Sequence, residues 1–176
     1  MAKTAWAIDP THSAIEFKVK HMMFTNVSGK FNQFEATIEN EDERFETSSI
    51  QFSANVSSVD TNNTDRDNHL KSADFFEADN FPKLSFASTG IKKIDDNEFE
   101  ILGDLTVKNT TKNVLLKAEY SGLMKDPWGN TKIGLSISGK INRKDFGLTW
   151  NAALETGGVL VGEEVKLVAE VQFVKQ

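Results

Sequence analysis

Apolar residues recur at every second position in run after run of this chain, and that period commits it to β-sheet. Ile15, Phe17 and Val19 alternate with Glu16, Lys18 and Lys20. Ile50, Phe52, Ala54 and Val56 repeat the pattern, as do Phe99, Ile101, Gly103, Leu105 and Val107. Val114, Leu116, Ala118 and Tyr120 form another such face, followed by Ile133, Leu135, Ile137, Gly139 and Ile141. The last is Val165, Leu167, Ala169, Val171 and Phe173. Shorter runs surround Trp6 and Ile8, cut by Asp9-Pro10, and Leu84 and Phe86, followed by a hairpin at Asp95-Asp96-Asn97. In one run the phase slips: Val27, Gly29 and Phe31 are odd-numbered, Phe34, Ala36 and Ile38 even. Strand geometry cannot keep all six on one face, which predicts a bulge or bend near Asn32-Gln33.

About eight or nine strands, each with one apolar face and joined mostly by short turns, predict an all-β fold. Closure into an antiparallel barrel would remove exposed edges, and the polar outer faces suit a barrel in water. Such a barrel is filled by its own side chains or holds one small ligand. The inward parity carries Gly29, Gly103, Gly139, Ala36, Ala54 and Ala118. Small residues there either leave room or merely let the strands coil, and periodicity does not choose between the two.

Length and charge narrow the functions. The 176 residues suffice for one domain with a full core, taken as residues 1–176. A net charge of −6, from 20 basic and 26 acidic residues, argues against nucleic acid or an anionic membrane surface as partner, where a basic patch is expected. The acidic residues 39–46 read as a solvated hairpin tip. The absence of cysteine excludes disulfides and thiolate chemistry. No apolar stretch approaches a membrane span, and residues 1–6 lack the apolar core of an export signal, so the expectation is a cytoplasmic protein not embedded in membrane.

One segment breaks the strand rhythm. Residues 60–82 are too long for a hairpin loop, and residues 65–72 have helical character, with N-cap candidates among residues 61–64. On such a helix Arg66 and His69 share a face. Arg66 offers a fork for an anionic head group, or belongs to a structural lid in which Leu70 and Phe75 plug one barrel end. His12 and His21 flank the second strand, and His21 has its inward parity. Arg143 continues the inward parity of the run from Ile133. A zinc site of His12, His21 and His69 is disfavoured by their spacing, and neither metal nor cofactor is expected. The motifs of hydrolases, phosphate-binding loops and dinucleotide folds are missing. Gly157-Gly158 precedes a strand rather than a helix and reads as a turn.

Several blocks, in order, carry a family resemblance. They are Trp6-x-Ile8-Asp9-x-x-His12-Ser13-x-Ile15-x-Phe17-x-Val19-Lys20-His21, Val27-x-Gly29-x-Phe31, and Arg66-Asp67-x-His69-Leu70-x-Ser72-x-Asp74-Phe75-Phe76. Phe81-Pro82-x-x-Ser85-Phe86, Gly103-x-Leu105-Thr106 and Arg143-x-x-Phe146-Gly147 complete the set. Together they resemble the YceI-like family of lipocalin-like lipid-binding proteins over nearly the whole chain.

The resemblance implies a closed antiparallel eight-stranded barrel with a short helical insertion near residues 61–80. It implies a hollow lumen for a long apolar chain, polyisoprenoid or fatty-acid-like, and a homodimer. Many members are exported, and this chain departs from them at its N-terminus. It also has Asn109 where a glycine turn is common, and Asn tolerates the left-handed conformation. The residues expected to meet such a ligand are the polar candidates His12, His21, Arg66, His69 and Arg143. The wall residues are Phe17, Val19, Phe31, Phe52, Phe75, Gly103, Leu105, Ala118 and Ile137. A binding module for storage, shielding or transport is the first reading. An enzyme acting on an isoprenoid or small hydrophobic substrate, with His69 or His12 as acid/base, is the alternative. A structural barrel filled adventitiously is the third.

Overall fold

The computed structural model describes residues 2–155 and 158–176. Its elements in chain order are β1 (Lys3–Ile8), β2 (Ala14–His21), β3 (Thr25–Phe31), β4 (Phe34–Glu41), β5 (Arg44–Asn55) and β6 (Val59–Asp60). The helix α1 (Thr64–Lys71) follows, then β7 (Lys83–Lys93), β8 (Glu98–Val107), β9 (Thr110–Lys125), β10 (Thr131–Asn142) and β11 (Val161–Lys175). All pairings are antiparallel neighbours in one sheet, and β1 pairs with both β4 and β11, so the sheet closes on itself.

The barrel is eight-stranded because three of its staves are bent. β1 and β2 lie end to end along β11, joined through a one-turn 3-10 helix at Pro10–His12. β3 and β4 form the next stave and β5 with β6 the third. The break expected near Asn32-Gln33 falls between β3 and β4, where Asn32 N–H donates to Ser58 O and Asn55 N–H to Gln33 O. The phase slip in sequence is this corner: each half keeps its own inward face. Beyond the corners, β2, β3 and the short β6 flare outward, and β6 makes no pairing with β7. Residues 60–82 occupy that gap. The predicted helix forms one residue earlier than the 65–72 expected, and its N-cap is Asn63, whose side chain accepts from Arg66 N–H.

One end of the barrel is solid. Phe45, Phe99 and Tyr120 cluster with ring centroids 4.9–5.7 Å apart, Phe45 stacked on Tyr120 and Phe99 edge-on to both. Trp6, Ile38, Ile101 and Ile133 are fully buried beside them. The Trp6 indole N–H donates to buried Asn40 Oδ1, whose amide donates in turn to Ser48 Oγ, so neither polar group is stranded. Of the two readings left open for the inward glycines, spare room for a ligand does not hold at Gly29, Gly103 and Gly139. A Cβ on Gly29 would lie 2.3 Å from the Phe17 ring, one on Gly103 2.3 Å from Phe86, and one on Gly139 2.5 Å from Leu116. Each glycine is a seat for a large side chain on the neighbouring strand, which lets the chain pack a ring flat against the wall.

One turn departs from expectation in detail. Between β8 and β9 the left-handed residue is Lys108 (φ 56°), not Asn109. A two-residue hairpin that needs positive φ at its first central position places that demand on whichever residue is first. Gly158 is left-handed (φ 87°), as a turn there requires, while Gly157 lies outside the described residues. No helix among the described residues is long and apolar enough to cross a membrane.

Candidate functional site: an apolar cavity with one aromatic mouth

Between the solid end and α1 the barrel is hollow. A cavity of about 380 Å³ is walled by side chains from almost every strand, including Ile15, Phe17, Val19, Phe31, Phe52, Phe86, Leu105, Leu116, Leu135, Ile137 and Val171. Of the wall residues expected from sequence, Phe17, Val19, Phe31, Phe52, Phe75, Leu105 and Ile137 line it. Gly103 and Ala118 do not: Gly103 lies beneath the Phe86 ring, and Ala118 is buried opposite Phe99 at the solid end.

The polar candidates divide between the two ends. His21, Arg66, His69 and Arg143 all border the cavity. His12 does not, because β2 runs the length of the flare between it and His21, about 23 Å of extended chain. His12 belongs instead to a polar knot at the closed end. Its Nδ1 lies 2.8 Å from Asp9 Oδ2, and the Thr11 hydroxyl donates to Asp9 Oδ1 at 2.7 Å. Those two interactions, the Thr11 hydroxyl first, hold the Asp9 carboxyl far below the usual carboxylate range. Lys132 Nζ sits 3.6 Å from both Asp9 and Asp126 and ties β10 into the same knot. Thr11 donates to the carboxylate and lies beside the same nitrogen of His12 that faces Asp9, so these three residues do not form a nucleophile–base relay.

At the open end the chain builds a lid from two segments. Thr61 is its hinge point: its N–H and hydroxyl both donate to Asp67 Oδ1, at 2.8 and 2.6 Å. Arg66 returns the connection, with Nε donating to Thr61 Oγ1 at 2.8 Å and Nη2 to Thr61 O at 2.7 Å. These bonds pin the first turn of α1 and leave Nη1 as the Arg66 nitrogen not committed to Thr61. One turn on, His69 Nε2 lies 2.8 Å from Asp74 Oδ2, and its ring stands edge-on to Phe75 and Trp150.

Trp150 comes from the second segment, of which residues 147–155 and 158–160 are described, and which Arg143 fastens across the mouth. The Arg143 side chain is only 3% exposed. Its Nε donates to Gly162 O at 2.7 Å, Nη1 to Leu148 O at 2.6 Å and Trp150 O at 3.0 Å, and Nη2 to Val161 O at 3.2 Å. No carboxylate among the described residues lies within 4.0 Å of it. Burial lowers its pKa from the ordinary arginine value. Arg143 therefore works as a staple for backbone carbonyls rather than as a free hand for a head group. Sequence parity placed it correctly and could not show its partners. Trp150 was missed altogether: the motif that drew attention ended at Gly147, three residues short of it.

The cavity is thus an apolar tube, closed at the Phe45 end and covered at the other by His69, Phe75 and Trp150. It can shield an apolar body, and polar groups that a head could meet include Arg66, His69, His21 and Thr61 at the mouth. A family model described as a YceI-like domain matches residues 6–173. The UPF0312 protein of Staphylococcus aureus strain MSSA476 is 38% identical over 171 residues, covering 97% of both chains. Among solved structures, the Campylobacter jejuni YCEI protein is 32% identical with a TM-score of 0.76, over 89% of this chain and 90% of that one. Burkholderia cenocepacia BcnA superposes with a TM-score of 0.79 at 20% identity, over 94% and 98%. A polyisoprenoid binding domain from Saccharophagus degradans, implicated in plant cell wall breakdown, does so with a TM-score of 0.68 at 12% identity, over 97% and 98%. With the family model matched over nearly the whole chain and a relative 38% identical over 97% of both chains, this chain belongs to the YceI-like family.

Proposed function

We propose that this protein binds a long apolar lipid chain, polyisoprenoid or acyl, along the barrel axis and shields it from water. The observation that carries the reading is the cavity of about 380 Å³ lined by Phe, Val, Ile and Leu, with polar groups gathered at one end. The Saccharophagus degradans neighbour, described as a polyisoprenoid binding domain, supports the same ligand class. Apolar lining gives affinity without direction, and each buried methylene contributes about 0.8 kcal/mol. Direction comes from the mouth, where a head group meets the uncommitted Arg66 nitrogen, His21 and the edge of His69. Residues 1–176 act as one unit in this reading.

The acid/base alternative gains little support from this geometry. His69 is held by Asp74 and packed between two rings, and His12 is bound to Asp9 at the far end. The homodimer expected from the family is part of the proposal. Leu102 and Leu115 face each other in register on the outer wall and are exposed, an apolar patch that a second copy would cover.

The test is the mass of what organic solvent extracts from protein purified without denaturation. An isoprenoid or acyl chain in stoichiometric amount is expected. An empty extract, together with no uptake of either class by the purified protein, would overturn the reading.

A further inference from the structure

Three consecutive apolar residues project from the tip of the β2–β3 hairpin. Met22, Met23 and Phe24 are 55%, 62% and 82% exposed. The tip is a tight turn, closed by Phe24 N–H donating to His21 O at 3.2 Å, and both central residues are left-handed, Met22 at φ 52° and Met23 at φ 63°. Asn and Gly are the residues at ease there. Methionine in both places is a backbone cost accepted for side chains that lie mostly in water, and such strain marks a functional segment.

The tip stands beside the mouth of the cavity. His21, which begins the turn, lines the cavity, and so does Leu160, whose carbonyl accepts from Met22 N–H at 2.8 Å. Met23 packs its sulfur against Gly158 of the segment that carries Trp150.

The outer wall below the tip is basic in a chain of net charge −6. Lys140, Lys166 and Lys18 lie directly opposite one another on β10, β11 and β2, and Lys20 follows two residues nearer the tip. Lys20 Nζ donates to Phe24 O at 3.2 Å, which sets a cation at the root of the apolar finger. Like charges in register oppose sheet formation. Of the carboxylates facing this strip, Glu164 pairs with Lys140 and Glu163 with Lys144, while Glu16 lies in register with Lys30 without an ion pair between them. Lys18, Lys20 and Lys166 have no carboxylate within 4.0 Å among the described residues.

We propose that residues 22–24 insert into the surface of an anionic lipid bilayer, with Lys18, Lys20 and Lys166 against its head groups, so that a tail passes between bilayer and cavity without crossing water. An apolar wedge flanked by lysines has the composition of an interfacial membrane anchor. The placement of the wedge beside the mouth gives the anchoring a purpose, and the inference rests on the lipid-binding reading above.

The experiment is flotation of the full chain with phosphatidylcholine vesicles and with vesicles carrying a quarter phosphatidylglycerol. It is run beside uptake of a pyrene-labelled hexadecanoic acid, supplied either from ethanol or from those vesicles. The parent is expected to float with the anionic vesicles. Met22→Asn/Met23→Gly/Phe24→Ser, which gives the turn its favoured residues and so keeps the hairpin, should float at least about tenfold less. Lys18→Gln and Lys166→Gln should each weaken flotation roughly fivefold. In the triple variant, uptake from vesicles should slow while uptake from ethanol stays at the parent level. A parent that does not float, or a triple variant that floats as well as the parent, overturns the docking surface. So does a triple variant whose sedimentation without lipid shows the loss of a self-association, which would assign the tip to a second copy. If the parent floats and takes up the probe by neither route, docking stands and the lipid-binding reading falls.

Discussion

Trp150 meets His69 edge to face, ring centroids 4.6 Å apart and planes at 88°, and this pair joins the two segments that cover the cavity. One residue comes from α1 and the other from the segment stapled by Arg143, 81 positions further along the chain by their numbers. The contact is where the lid must part for a ligand to pass. An edge-to-face pair contributes about 0.5–1.5 kcal/mol beyond its buried area. Trp150→Ala should therefore speed release of a bound fluorescent lipid by roughly threefold to tenfold with little change in the far-ultraviolet circular dichroism. Stopped-flow displacement measures it. An unchanged release rate would mean that the lid opens elsewhere.

Arg143 should matter for stability before it matters for binding. Removing a buried guanidinium that donates to four carbonyls strips a donor from each, although Val161 O keeps the Asn151 amide, and loss of a buried charged hydrogen-bonding group costs roughly 2–4 kcal/mol. Arg143→Gln is expected to lower the urea midpoint accordingly. Arg143→Lys should recover only part, because an ammonium has no planar fork to reach carbonyls on both sides. A variant of parental stability that has lost affinity for anionic lipids would make Arg143 a head-group residue after all.

These two residues show what the chain's pattern revealed and what it hid. The period-two runs placed Arg143 and His21 on the inward face, and the phase slip at Asn32-Gln33 located a corner, because alternation is a property of each strand by itself. The partners of a side chain are not. Arg143 takes its acceptors from residues 148–162, and Trp150 reaches His69 only after the barrel has closed. His12 and His21 lie nine positions apart in sequence and at opposite ends of the flare, since an extended strand converts short separations into long distances. The inward glycines had the right parity, and yet the room they leave is taken by Phe17, Phe86 and Leu116. The cavity is walled by residues from β1–β5 and β7–β11 together, which no single run of residues encodes.

Acid stability should depend on Asp9. Its carboxyl is held below the unfolded reference of 3.8 by the Thr11 hydroxyl and His12, so the folded state favours the ionised form. A group with a depressed folded pKa contributes stability that is fully present above its unfolded value and is lost as pH falls through the folded one. Asp9→Asn should thus be less stable than the parent above about pH 5, with the gap narrowing as pH drops below about 4. Chemical denaturation across pH 2–7 gives both curves, and parallel curves would show that the knot at the closed end does not hold that carboxylate.

Filling the cavity should shorten the tail it accepts. Ala169 lines the cavity on β11 opposite Ile15, so Ala169→Phe points a ring into the space without displacing a seated side chain. The contrasting variant is Gly103→Ala, whose methyl would collide with the Phe86 ring and lower stability instead. Competition assays over a tail-length series should show a shorter optimum for Ala169→Phe, and an unchanged optimum in a folded variant would move the tail away from β11.

The central claim is that the lumen holds an apolar chain, and affinity against tail length tests it most directly. A homologous series of carboxylate-headed lipids, titrated calorimetrically below their aggregation limits, isolates the tail because the head is constant. Each added methylene should tighten binding about fourfold, from about 0.8 kcal/mol of burial, until the tube is full and affinity levels off. A series whose affinity does not rise with length at any point would show that the tail stays outside the barrel.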